Sequence, residues 1–161
     1  MSSAVLVREN TKAAGEEMSD HTETTKKMVL VVEDDPDMSE LLCTVLEQAG
    51  YQTAPAFNGK EALEQANNLQ PALILLDIML PDIDGIRLCR DFSHNDNTRN
   101  IPIIMVSVRQ ELSAKLSSYI AGARRFIVKP FRVEDLLQDV ERALRQPRAP
   151  ATEEEILDPR D

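Results

Sequence analysis

A short apolar run without a polar face, Leu73-Ile74-Leu75-Leu76, most constrains the fold of this chain. Such a run is typical of a strand buried on both faces, as in parallel sheets. Asp77 follows the run, and Pro81 and Gly85 interrupt regular structure before the next helical pattern. Because ligands of open α/β sheets bind beyond the carboxyl ends of the strands, Asp77 is well placed for chemistry. Taken alone, the segment is equally consistent with an Asp that only begins a turn.

The rest of the chain alternates predicted strands with amphipathic helices. Strands are predicted at residues 28–32, 51–56, 73–76, 101–106 and 125–128. Helices are predicted from apolar spacing and from N-cap signals such as Asp35-Pro36 and Asn58; the last helix is expected to bury Val133 with Leu136 and Val140. Five strands alternating with five helices predict right-handed βα units and a parallel sheet.

Composition narrows the function classes. The chain has 161 residues and a net charge of −10, which argues against nonspecific nucleic-acid binding and against anionic membrane surfaces. Cys43 and Cys89 lack CxxC spacing and are expected to be reduced and packed. There is no apolar run of ~20 residues and no signal-peptide pattern. We expect a cytoplasmic protein with a disordered extension at 1–27, one domain at 28–146 and an acidic tail at 147–161.

Polar residues follow four of the predicted strands. Glu33 and Asp34 follow the first strand, Asp77 the third, Ser107 the fourth and Lys129 the fifth. The strand ends of a parallel sheet lie on one edge, so these residues should converge. Crowded carboxylates repel one another, and Mg²⁺ would relieve that repulsion. With a cationic Lys and a hydroxyl donor, the set suits phosphoryl transfer to an Asp nucleophile.

Each residue of this set also has an ordinary structural explanation. The acids after the first strand could only cap a helix, Ser107 could simply end a strand, and Lys129-Pro130 could only form a turn. The side chain of Met79 carries no signal, because only its backbone carbonyl could serve a metal. The joint placement, rather than any one residue, favours a functional site.

Four segments carry a resemblance to a known family. They are Val31-Val32-Glu33-Asp34-Asp35, Leu76-Asp77-Ile78-Met79-Leu80-Pro81-Asp82-Ile83-Asp84-Gly85, Ile103-Ile104-Met105-Val106-Ser107 and Phe126-Ile127-Val128-Lys129-Pro130-Phe131. Over about residues 28–146 the chain resembles the receiver domain of bacterial two-component response regulators. The resemblance implies a flavodoxin-like α/β fold, (βα)5, with strand order 2-1-3-4-5 and helices on both faces.

The resemblance also implies the chemistry of the site. Asp77 would accept a phosphoryl group from a phosphohistidine on a sensor histidine kinase or a phosphotransfer protein. Asp34, Asp77 and the Met79 carbonyl would bind Mg²⁺ directly, and Glu33 would act through a water. Such a protein is expected to be no enzyme, with only self-phosphorylation and self-dephosphorylation chemistry.

Signalling residues are implied in the same way. Lys129 would pair with the phosphoryl group, and Ser107 would move toward it as the switch hydroxyl. Phe126 takes the place of the switch aromatic, which is commonly Tyr, so its hydroxyl is absent. Val108 stands where the family often has a small Ala, which is expected to restrict access to the pocket.

Two arginines depart from the family pattern. Arg124 and Arg125 occupy positions where members that dimerise through the fourth helix, fifth strand and fifth helix often carry acids. Reversed charge argues against that dimer. The pair is interpreted either as an attraction for an acidic partner or as solvated surface charge.

Three function hypotheses follow. The first is a stand-alone response regulator that contacts a downstream protein through the face formed by helix 4, strand 5 and helix 5, without direct DNA binding. The alternative is a receiver-like scaffold that acts without phosphorylation, for which the crowded acids would serve no purpose. A Mg²⁺-dependent phosphatase is disfavoured, because such enzymes generally carry a second Asp at the position of Met79.

Overall fold

The structure, a computed structural model, describes residues 25–146. The predicted extension before residue 25 and the predicted acidic tail lie outside the described residues. The strands form one parallel sheet with the order β2-β1-β3-β4-β5, which confirms the predicted topology. Their bounds are β1 Met28–Val32, β2 Gln52–Ala56, β3 Leu73–Leu76, β4 Ile103–Ser107 and β5 Arg125–Val128.

A helix follows each strand. The bounds are α1 Pro36–Gln48, α2 Gly59–Leu69, α3 Gly85–His94, α4 Leu112–Ile120 and α5 Val133–Arg145. Three helices begin at side-chain caps, in which the carboxylate of Asp35, the amide oxygen of Asn58 and the carboxylate of Asp84 accept backbone N–H groups of the first turn. Within residues 25–146, no helix is both long and apolar enough to cross a membrane.

The sheet separates two apolar layers, and this explains why β3 has no polar face. Leu73 and Leu75 belong to the layer that includes α1 and α5, whereas Ile74 and Leu76 belong to the layer that includes α2, α3 and α4. All four side chains are buried. Burying each of them stabilises the fold by about 1.5–3 kcal/mol. A polar side chain anywhere in β3 would therefore lie in one layer or the other.

The expected burial of Val133 needs correction. Val133 is 40% exposed, because α5 packs through Leu136, Val140 and Ala143, and Val133 stands one turn before them at the helix start. In α4 the large aliphatic side chains Leu112, Leu116 and Ile120 are exposed, and the buried residues are Ala114, Ser118 and Tyr119. The fourth strand is also shifted, since Ser107 is its last residue rather than the residue after it.

Arg124 and Arg125 are buried, so their interpretation as solvated surface charge is wrong. The Arg125 Nε atom lies 3.6 Å from Asp139 Oδ1 of α5, and both side chains are almost inaccessible. The Arg124 guanidinium donates to the side-chain oxygen of Gln146. Arg125 therefore has its acidic partner within the chain, and the expectation that it attracts another protein is replaced by a bond between β5 and α5.

We expect Asp139→Ala to lower the free energy of unfolding by about 3–5 kcal/mol, because it leaves a buried guanidinium without this carboxylate. Urea denaturation followed by far-UV circular dichroism measures the change. Glu141→Ala is the matched control, since it removes an acid of an exposed pair with Arg145 on the same helix and should cost less than about 1 kcal/mol. Equal losses in the two variants would contradict the assigned role of the buried pair.

Candidate functional site

Three carboxylates meet at the carboxyl edge of the sheet. Glu33 and Asp34 follow β1, and Asp77 follows β3, the strand paired directly with β1. One oxygen atom from each of them lies within 4.8 Å of the others. Glu33 and Asp77 are 2% and 6% exposed, whereas Asp34 is exposed to solvent. The predicted convergence of these acids is thus present in the structure.

Lys129 supplies the positive charge of the site. It follows β5, and its Nζ atom lies 3.1 Å from Asp77 Oδ2 and also pairs with Glu33 Oε1. The side chain is 10% exposed, so both ion pairs are largely shielded from water. Shielding strengthens these pairs relative to surface pairs, and it also makes each uncompensated charge expensive. Lys129 therefore holds the two buried acids together.

The electrostatics of Glu33 reflect its burial. The pKa of the Glu33 carboxyl is raised to about 7, because burial raises it by more than the hydrogen bond from Lys129 lowers it, and the charge of Asp77 also raises it. Burial also acts to lower the pKa of Lys129, but its bonds to Glu33 and Asp77 outweigh burial, so that pKa is raised. Lys129 consequently stays a cation, while Glu33 exchanges its proton near neutral pH.

The donor set fits Mg²⁺. Three carboxylates in reach of one position offer hard oxygen ligands, and the one lysine bonded to two of them leaves negative charge uncompensated within the described residues. Exposed Asp34 leaves room for water, and Mg²⁺ usually keeps several waters when it binds proteins. Asp34, Asp77 and Glu33 are therefore the residues that would hold the cation.

The loop between β3 and α3 turns tightly against Asp77. The Met79 N–H donates to Asp77 Oδ1 at 3.1 Å, and the Gly85 N–H donates to the Ile78 carbonyl at 2.7 Å. A Cβ atom at position 85 would lie 2.1 Å from the Asp77 carbonyl oxygen, so only glycine fits there. The Met79 side chain is exposed, which agrees with a role for its backbone alone. That the Met79 carbonyl binds the metal stays a prediction.

Asp82 anchors this loop to α2, and its role was not predicted from the sequence. Asp82 Oδ1 accepts from the Gly59 N–H at 2.8 Å, and Asp82 Oδ2 accepts from the Lys60 N–H at 3.0 Å. These backbone bonds, with Gly59 the strongest, lower the pKa of Asp82. A Cβ atom at position 59 would lie 2.2 Å from Ile83 Cγ2, so the loop sits directly on the start of α2. A glycine just after the Asn58 cap was the available signal for this close approach.

The two predicted switch residues, Ser107 and Phe126, are buried on β4 and β5. Ser107 ends β4, and its Oγ accepts from the Arg109 N–H at 3.4 Å. Phe126 lies in β5 opposite Met105 of β4, in the apolar layer of α2, α3 and α4. Val108, next to Ser107, is 56% exposed. Ser107 therefore shares the sheet edge with Asp77, and the switch roles stay predictions.

We expect Asp82→Ala to weaken Mg²⁺ binding several-fold, because the loop that carries Met79 loses its bonds to α2. Binding is measured by isothermal titration calorimetry. Asp91→Ala removes the same charge from an exposed position of α3 and should leave the affinity nearly unchanged. If both variants bind Mg²⁺ like the wild type, the bonds to α2 do not position the site.

Mg²⁺ affinity should fall as the pH is lowered from 8 to 6. The Glu33 pKa of about 7 means that the protonated form grows below neutrality, and the cation has to displace that proton. Well below pH 7, the association constant of Mg²⁺ should fall about tenfold for each further pH unit, because one proton has to be displaced. Titrations at several pH values measure it, and Glu33→Gln should flatten the dependence. The same slope in that variant would assign the proton to another group.

Family and structure comparisons agree with this geometry. Residues 29–141 match the model of the response regulator receiver domain. A receiver domain protein described as CheY-like from Methanospirillum hungatei has a TM-score of 0.71 at 30% identity and covers 75% of this chain and 95% of its own. The chemotaxis response regulator CheY4 of Vibrio cholerae has a TM-score of 0.70 at 28% identity and covers 74% and 99%.

The curated relatives are longer proteins. The DNA-binding dual master transcriptional regulator RpaA of Synechocystis is 37% identical over 118 residues, which is 73% of this chain and 49% of the relative. The phosphate regulon transcriptional regulatory protein PhoB of Escherichia coli is 36% identical over 130 residues, which is 81% of this chain and 57% of the relative. The chain thus spans about half the length of these relatives. It belongs to the response regulator receiver domain family of two-component signalling.

Proposed function

We propose that Asp77 accepts a phosphoryl group from the phosphohistidine of a sensor histidine kinase or phosphotransfer protein, with Mg²⁺, in a bacterial cytoplasm. One observation carries the proposal: a buried carboxylate at the end of the central strand lies among two further acids and a lysine. Repulsion between crowded carboxylates lowers the stability of the fold. A site that binds a metal ion and accepts a phosphoryl group needs these carboxylates in spite of that loss. The phosphorylation-independent scaffold has no such use for them.

In the proposed step, an Asp77 carboxylate oxygen forms a bond to phosphorus while the phosphorus–nitrogen bond of the donor breaks and the imidazole leaves. Bound Mg²⁺ would supply the charge that phosphoryl oxygens require. Lys129 is already 3.1 Å from Asp77, so its ammonium is placed to pair with an added phosphoryl oxygen. The chain then changes its own state and is not an enzyme that turns over a separate substrate.

We propose that the output is a protein contact on the face formed by α4, β5 and α5. Leu112, Leu116 and Ile120 repeat every four residues along α4 and are 65%, 39% and 83% exposed, which leaves an apolar stripe on this face. Phe126 belongs to the same apolar layer as Ala114 and Tyr119 of α4. A rotamer change of Phe126 would therefore alter the packing beneath α4 and shift the equilibrium between alternative positions of this helix.

Two kinds of downstream partner are compatible with this phosphoacceptor step. RpaA is named as a DNA-binding regulator and PhoB as a transcriptional one, which favours a second candidate, in which such a receiver controls a DNA-binding partner domain. The net charge of −10 supports the proposal that this chain itself makes no direct DNA contact and acts as a stand-alone regulator through another protein. Both candidates share the same phosphoacceptor step.

Incubation with Mg²⁺ and acetyl phosphate should add the mass of one phosphoryl group to the protein, because a small phosphodonor can replace the kinase. Intact-protein mass spectrometry measures the product. Asp77→Asn should abolish the gain, and Asp91→Asn should leave it unchanged, since Asp91 is an exposed acid of α3. No gain in the wild type, where a control receiver reacts, would favour the scaffold.

The same samples report on the output face. Phosphorylation should shift the backbone amide resonances of α4 and β5 in ¹H–¹⁵N spectra of the wild type, and Asp77→Asn should show no such shifts. A phosphorylated protein whose shifts stay confined to the loops around Asp77 would contradict the proposed surface change, while leaving the phosphoacceptor step intact.

A further inference from the structure

A groove between α3 and α4 is rich in arginine although the chain is strongly acidic. It has a volume of about 390 Å³, within the range of small-molecule sites. Arg87 and Arg90 of α3 form one wall, three residues apart and therefore on one side of the helix. Arg109, which precedes α4, stands on the other wall. Arg87 and Arg90 take no part in the phosphoacceptor site, whereas Arg109 also lines the adjoining pocket that contains Asp34 and Met79.

The charges of the groove are poorly balanced. Arg109 pairs with Glu111 at 3.4 Å, but within residues 25–146 neither Arg87 nor Arg90 has an ion-pair partner. Asp84 is the one acid on the groove walls in this part of the chain, and its carboxylate already accepts from the Ile86 N–H as the cap of α3. Two guanidinium groups thus face a shared space without a carboxylate bound to either.

The remaining polar groups of the groove favour an acceptor ligand. Ser113 and Ser117 of α4 line the wall opposite α3 and lie one turn apart. Hydroxyl groups can donate to an anion, and each guanidinium offers several N–H groups in a planar fork that matches phosphate oxygens. A ligand with several phosphate oxygens would therefore find donors on both walls.

We propose that this groove binds a small molecule that carries two or more linked phosphate groups. Its volume suits a compact ligand, and its arginines lie on α3 and on the loop before α4 rather than along a continuous track. A long nucleic acid would meet the net charge of −10 beyond the groove, whereas a compact anion meets only the local arginines. The site lies outside the proposed phosphoacceptor reaction and does not depend on it.

Inorganic pyrophosphate is the probe. Isothermal titration calorimetry and ¹H–¹⁵N spectra of the full chain, recorded without Mg²⁺ so that pyrophosphate stays free, should show binding with shifts in α3 and at the start of α4. Arg87→Ala/Arg90→Ala should weaken binding by at least about tenfold, because two charged contacts are lost. The backbone amides of Asp77 and Lys129 should not shift, which separates this groove from the phosphoacceptor site.

The charge-matched control is Arg99→Ala/Arg132→Ala, which removes two exposed arginines outside the groove. If it weakens binding as much as the groove variant, pyrophosphate responds only to net charge and the proposal fails. Absence of binding to the wild type would also overturn it. A hexaglutamate peptide that binds more tightly than pyrophosphate, with the same dependence on Arg87 and Arg90, would replace the phosphate ligand with an acidic protein segment.

Discussion

The bonds of Lys129 to Glu33 and Asp77 are the interaction on which the rest of this structure depends. Two buried carboxylates side by side repel each other, and a fold that brings β1 and β3 together cannot separate them. The ammonium group from β5 lies between them and compensates part of the charge. Burial first, and the charge of Asp77 after it, raise the pKa of Glu33 to about 7 against the hydrogen bond from Lys129. The negative charge that remains would favour a bound cation.

This balance requires accurate placement of Asp77, and the loop after it provides that placement. The loop is held at one end by the approach of Gly85 to the Asp77 carbonyl, and in its middle by the bonds of Asp82 to the first turn of α2. The Gly85 N–H also donates to the Ile78 carbonyl, and the bonds to Asp82 come from backbone N–H groups of α2, so the positions of these donors are fixed by secondary structure. The loop is therefore supported by two helices as well as by the strand from which it begins.

Local patterns in the sequence predicted those parts of the structure that depend on local physics. The apolar run of β3 predicted burial on both faces, and the caps Asp35 and Asn58 predicted helix starts, because each acts within three residues of itself. The convergence of the acids with Lys129 followed from the parallel sheet alone. For the strand order, the sequence offered a family resemblance rather than a physical derivation.

Other features depend on contacts between distant residues, and local patterns could not show them. Asp82 bonds to a helix that begins 23 residues earlier. The burial of Arg125 depends on Asp139, a residue of another element, and composition rules alone assign arginine to the surface. Both cases involve a charge that is acceptable only because a specific partner is present.

The packing of α4 is consistent with the proposal that this helix responds to the site. It contacts the sheet through Ala114, Ser118 and Tyr119, whereas its large apolar side chains face outward. α5, by contrast, buries Leu136 and Val140. Apart from Tyr119, the inward side chains of α4 are small, whereas α5 also carries the buried partner of Arg125, so we expect a displacement of α4 to cost less free energy than a displacement of α5. In the proposed function, a change at Ser107 or Phe126 would therefore be transmitted most readily to α4, the helix that carries the exposed apolar stripe.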